Sequence, residues 1–186
     1  MAEPMRGRGF TLQELSVLVA ATALGLGLTR SVMEGFPGTG FVRGFRPLIA
    51  TQRWVALATC PLIPLTVAAL VLTNLREPPP RRRLARKPGF VATAVATLAG
   101  LLYFIFALLQ VALMPPGLYG GRYLAVIVQG AHVYTGAAVL GAWTSMLLRG
   151  SWRPEASALD RLGRVVGASW VALIVLNWTL TLLRFW

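Results

Sequence analysis

Arg76-Glu-Pro-Pro-Pro-Arg-Arg-Arg-Leu-Ala-Arg-Lys87 is the one long hydrophilic break in a chain that is otherwise mostly apolar, and it carries six cations against one acid. A segment of that charge between two long apolar runs belongs at a cytoplasmic membrane surface, because short loops rich in Lys and Arg are retained on that side. Its three consecutive prolines favour an extended connection. Two apolar runs precede the stretch and three follow it.

The composition agrees with that reading. Of 186 residues, 56% are hydrophobic and only 13% charged, with a mean hydropathy of +0.65, which sets the chain apart from ordinary soluble domains. The net charge of +12 invites a nucleic-acid reading, but the cations fall in the connections between apolar runs, where they answer to membrane orientation; no nucleic-acid partner is expected. The single cysteine, Cys60, lies inside an apolar run beside Pro61, so it forms no intrachain disulfide and reads as a small buried residue.

The apolar runs predict an all-α, polytopic integral membrane protein, a single membrane domain over 1–186 with five transmembrane helices at about 12–29, 48–74, 90–114, 123–148 and 162–185 and a basic cytoplasmic loop at 75–89. With that loop inside, 12 Lys and Arg fall on the inner side and 6 on the outer, which puts the N-terminus in the cytoplasm and the C-terminus outside. Trp152 at the inner loop, and Trp178 and Trp186 toward the outer end of the last span, suit interfacial belts. The expected location is the inner, cytoplasmic membrane of a bacterial cell. Spans three to five are expected to form the tight core, with spans one and two attached more loosely.

Local signals refine the spans. Thr11-Leu-Gln-Glu14 has the form of a capping box, in which a hydroxyl and a carboxylate satisfy the first free N–H groups of a helix. Phe10-Thr-Leu-Gln-Glu14 also resembles the prepilin methylation signal. A pilin carries one hydrophobic helix and then a globular head, whereas this chain continues into further apolar runs, and Gln13 stands where that signal has an aliphatic residue. The connection after the first span alternates Gly38, Gly40 and Gly44 with Phe36, Phe41, Phe45 and Arg43, a pattern for lying along the interface. Pro61 and Pro64 predict a kink in span two. Ala92, Ala96 and Gly100 on span three, and Gly163 and Gly167 on span five, form small-residue stripes that let helices approach closely.

Candidate chemistry is sparse. Gln110, Gln129, His132 and Asn177 fall at comparable depths toward the outer half of spans three, four and five, where polar groups need partners or a cavity. They are expected either to hydrogen-bond one another and clamp the helices, or to bind a cofactor: His132 as an axial ligand of haem or of a chlorophyll-type pigment, with Gly130 and Gly136 leaving room for a flat ring, or His132 and Gln129 as partners of a quinone. A metal ion at these residues is left undetermined. Arg81, Arg82, Arg83, Arg86 and Lys87 are candidates for docking anionic lipid headgroups. The spans hold no acid in their cores, and no phosphate-binding loop or nucleophile-and-base arrangement accompanies His132. The leading expectation is a non-catalytic scaffold or accessory subunit that associates with other membrane subunits or with itself. A cofactor-binding subunit is the alternative, and a small transporter through the proline kink the third.

Overall fold

A computed structural model describes residues 11–35, 46–76, 85–113 and 123–183. Among these the chain is all-helical: α1 (Leu12–Gly35), α2 (Arg46–Arg76), α3 (Pro88–Leu113), α4 (Tyr123–Leu148) and α5 (Ala158–Leu182). Four of the helices, α1, α2, α3 and α5, are long and apolar enough to cross a membrane. Their 24 to 31 residues correspond to about 36–46 Å of helix, more than the roughly 30 Å hydrocarbon layer. Large apolar side chains stay exposed along them, among them Leu101, Leu102, Ile105 and Leu109 on one side of α3. So continuous an oily face is what a helix presents to lipid.

Helix ends follow from local chemistry. The Thr11 N–H donates to Glu14 Oε2 at 2.7 Å and the Glu14 N–H to Thr11 Oγ1 at 3.3 Å, completing the capping box that starts α1. At the end of α4, Gly150 takes φ +61, a left-handed conformation that a side chain disfavours. It lets the N–H groups of Gly150 and Ser151 reach back to the carbonyls of Leu147 and Met146, closing the helix in a Schellman turn.

The packing departs from the expectation of a core made by the last three spans. α2 lies against all four other helices, so it is a central element and not a loosely attached one. The cause is a set of small side chains. Val32, Ala56, Cys60 and Val128 form one buried cluster joining α1, α2 and α4, while Ala92, Ala96, Val139, Val166, Trp170 and Leu173 form a second joining α3, α4 and α5, with Leu62 and Ile63 of α2 packed against it. The helix continues through Pro61 and Pro64. A Cβ placed on Gly25 would come 2.7 Å from Pro61 Cα, so the missing side chain lets α1 rest directly on α2 at the proline pair.

The stripes on α3 and α5 meet each other. A Cβ on Gly163 would run into the Gly89 carbonyl oxygen, and one on Gly167 would lie 2.7 Å from Ala92 Cβ and 2.7 Å from the Trp143 ring. Ala92 and Ala96 are buried at this crossing, and Gly100 continues the α3 face toward α4. Because hydrocarbon offers no hydrophobic drive between helices, this close approach is what holds α3 to α5. Gly163→Val is expected to lower stability by about 2–3 kcal/mol, whereas Gly141→Ala, at an exposed site with nothing within 4 Å, leaves the thermal midpoint in detergent unchanged or slightly raised.

Candidate functional site

Two places concentrate polar chemistry: the end of the bundle where α3 and α5 begin, and the middle of the bundle between α2, α3 and α4.

At the first, Asp160 is the organising residue. It sits in the first turn of α5 with only 4% of its surface exposed. One carboxylate oxygen accepts the Gly89 N–H at 2.9 Å, the other accepts the Glu155 N–H at 3.1 Å, and Arg164 Nε lies 3.2 Å away. The carboxylate thus satisfies an open donor at the start of α3 while sitting at the N-terminus of its own helix, where negative charge is favoured. Ser157 caps α5 by accepting the Asp160 N–H at 3.2 Å. Around this centre, Trp143 Nε1 donates to the Pro88 carbonyl at 3.1 Å, the Arg153 N–H donates to the Arg86 carbonyl at 3.2 Å, and Lys87 pairs with Glu155. Trp152 packs edge-on against Trp143.

Sequence reasoning placed Asp160 in a connecting loop and missed this role. The readable signal was Ser157-Ala-Leu-Asp160, which has the same spacing as Thr11 to Glu14 and marks a helix start. The same geometry redistributes the basic docking candidates. Lys87 is turned inward to Glu155, while Arg86 is exposed; Arg81, Arg82 and Arg83 lie outside the described residues.

In the middle of the bundle, His132 on α4 is buried, 4% exposed. Gly136, one turn away on the same face, is covered by the Trp170 carbonyl oxygen and the Ile174 side chain, which a Cβ there would approach to 2.6 and 3.2 Å. The space beside Gly130 is filled by the hydroxyl end of Tyr103, whose ring stacks on Tyr134 with centroids 4.8 Å apart. The room these two glycines leave for a flat ring at His132 is therefore taken by neighbouring side chains and backbone. Asn177 is half-buried on α5; Gln110 is exposed on α3 and does not join an inward layer; the Gln129 side chain is outside the described residues.

Unfilled space lies instead around the corner of α4. A cavity of about 340 Å³ is bounded by Ile63 and Thr66 of α2, Ala96 and Gly100 of α3, and Ala131 and Thr135 of α4, with Trp170 as its floor. Val67, Leu101 and Phe104 also line it and are exposed, so it opens sideways between α2 and α3. Trp170 Nε1 donates to Thr66 Oγ1 at 2.9 Å, tying α5 to α2 beneath it. Thr59, Thr66 and Thr73 recur every seven residues on the buried face of α2, a spacing that marks this helix as inward-facing and could have been read from the sequence.

No known family, curated protein or solved structure matches this chain.

Removing the Asp160 carboxylate leaves the Gly89 and Glu155 N–H donors without their acceptor and the Arg164 guanidinium without its counter-charge. Asp160→Ala is expected to cost about 3 kcal/mol, read as a lowered thermal midpoint, whereas Arg161→Ala on the exposed side of the same turn stays within about 0.5 kcal/mol.

Proposed function

We propose that the chain is a five-span membrane protein, N-terminus inside and C-terminus outside, that serves as a non-catalytic accessory or scaffold subunit of a larger assembly in a cytoplasmic membrane of bacterial type. Three features support the membrane arrangement. α4 is 26 residues long, contains no Asp, Glu, Lys or Arg, and packs against all four other helices, so it belongs in the same layer as they do. The cations divide 12 to 6 in favour of the inner side on that topology. Trp54 and Trp178, both exposed, fall toward the outer ends of α2 and α5, as interfacial anchors do.

The accessory role rests on one observation. Ser16, Ala20, Ala23, Gly27 and Ser31 repeat at three- and four-residue steps along a single face of α1, and every one of them is exposed. Nothing lies within 4 Å of where a Cβ on Gly27 would stand. The stripes of α3 and α5 are used inside the bundle, but this one is not. Small side chains on an outward membrane face allow another helix to approach closely, and they offer lipid less contact than Leu or Phe would. The hydroxyls of Ser16 and Ser31 are bonded to the carbonyls of Gln13 and Gly27, so the face is apolar as well as flat. The polar groups inside the bundle point the same way, since the buried Asp160 and Trp170 and the partly buried Trp143 hold helices together.

The test is the mass of the protein solubilised gently from native membranes. A particle clearly larger than the 20.1 kDa chain, either a self-assembly or a complex of fixed composition, is expected. Gly27→Leu together with Ala23→Leu should reduce it to the single chain without lowering its thermal midpoint. A wild-type chain that is monomeric by light scattering in nanodiscs and in mild detergent would overturn the accessory reading.

A further inference from the structure

We infer that the cleft between α2, α3 and α4 binds an uncharged, membrane-dissolved molecule with an apolar body and one carbonyl or hydroxyl oxygen, which the Thr135 hydroxyl engages. The observation that carries this is Thr135 itself. Within a membrane helix a threonine hydroxyl ordinarily satisfies itself on a carbonyl of the preceding turn. Thr59, Thr66, Thr73, Thr93 and Thr97 all do so here, at 2.6–3.2 Å. Thr135 does not: its residue is 1% exposed, and its Oγ1 has no hydrogen-bond partner among the described residues. It lines the cleft, and across from it stands Gly100, where an added Cβ would just reach van der Waals contact with the hydroxyl at 3.8 Å, so the missing side chain leaves about one atom's width open before Thr135. A buried hydroxyl facing a gap is unfavourable until an acceptor or donor arrives.

The surroundings define that partner. Water is a poor candidate, because a buried water needs two to four polar contacts and the other threonine hydroxyls of the cleft already donate elsewhere, Thr66 to the Leu62 carbonyl while accepting from Trp170, and Thr97 to the Thr93 carbonyl. A charged headgroup is excluded, because no charged side chain lines the cleft among the described residues. Apart from Thr97, whose hydroxyl donates to the Thr93 carbonyl, and the phenol of Tyr103, the remaining lining is aliphatic and aromatic, and the volume of about 340 Å³ stands at the small end of ligand pockets, enough for one ring or a folded chain segment. The exposed Val67, Leu101 and Phe104 at the mouth allow entry from the side. Quinone heads and long-chain or isoprenoid alcohols share this chemistry.

The inference rests on the membrane reading only for the route of entry, and failure of that reading would appear first, as protein absent from the membrane fraction. The test titrates the full-length chain in phosphatidylcholine nanodiscs with a decyl-tailed benzoquinone, a long-chain alcohol and an alkane of matched length, each competing against a diazirine-bearing alcohol whose crosslinks are mapped by mass spectrometry. Crosslinks are expected at cleft residues such as Leu101 and Ile127, displaced by an oxygen-bearing probe at lower concentration than by the alkane. Thr135→Val keeps the shape and removes the hydroxyl; it should weaken that probe about threefold to tenfold, leave the alkane unchanged, and preserve the thermal midpoint. Gly100→Leu, which fills the space before Thr135, should abolish the crosslinks. Preference for the quinone or for the alcohol supports the site and names the source. Equal affinity for all three probes, or labelling spread evenly over the lipid-facing surface, would overturn it.

Discussion

Backbone contact between the first turns of α3 and α5, with the Asp160 carboxylate inside it, is the constraint from which the rest of the bundle follows. Gly89 and Gly163 bring the two backbones together, and Asp160 accepts the Gly89 N–H across the contact. Neither feature suffices alone. Without the glycines the carboxylate could not reach, and without the carboxylate the start of α3 would bury an unsatisfied donor. Once this end is closed, Ala92 and Ala96 meet Gly167 and Trp170 along the same crossing, and Trp170 in turn reaches Thr66 to bring α2 into the centre.

This arrangement follows from the apolar environment. Helices in hydrocarbon gain little by burying apolar side chains against one another, so contact has to come from close packing and from hydrogen bonds that lipid cannot supply. The chain uses both, and it uses them unevenly. Small residues are spent at α3 with α5 and at Gly25 with Pro61, while the outward stripe on α1 remains uncovered. The hydroxyls of Thr59, Thr66, Thr73, Thr93 and Thr97 are satisfied within their own helices, whereas the buried Thr135 hydroxyl is not. The two exceptions motivate, respectively, the proposed assembly face and the proposed ligand cleft.

Much of the fold was legible in the sequence because it depends on patterns local to one segment. The long apolar runs gave the helices, Thr11 and Glu14 gave the start of α1, and the spacing of Ala92, Ala96, Gly163 and Gly167 gave the faces that pack. What could not be read was which face meets which. The polar layer expected from Gln110, Gln129, His132 and Asn177 was placed by depth alone, and rotation about each helix axis decides whether such residues converge; Gln110 turns outward. The clearance at Gly130 and Gly136 looked like space for a ring, but a glycine shows only that something comes close, and Tyr103, Trp170 and Ile174 do so here. The cleft is formed by residues of separate helices, none of them unusual in its own segment, so it had no signature along the chain.

Amide hydrogen exchange on the full-length protein in nanodiscs tests this account most directly. The account predicts slow exchange through all five helices, α4 included, with the Gly89 amide and its neighbours in the first turn of α3 as protected as the helix centres, because Asp160 and the backbone of α5 close over them. Rapid exchange at Gly89 and through that first turn, or an α4 that exchanges like a surface segment, would contradict it.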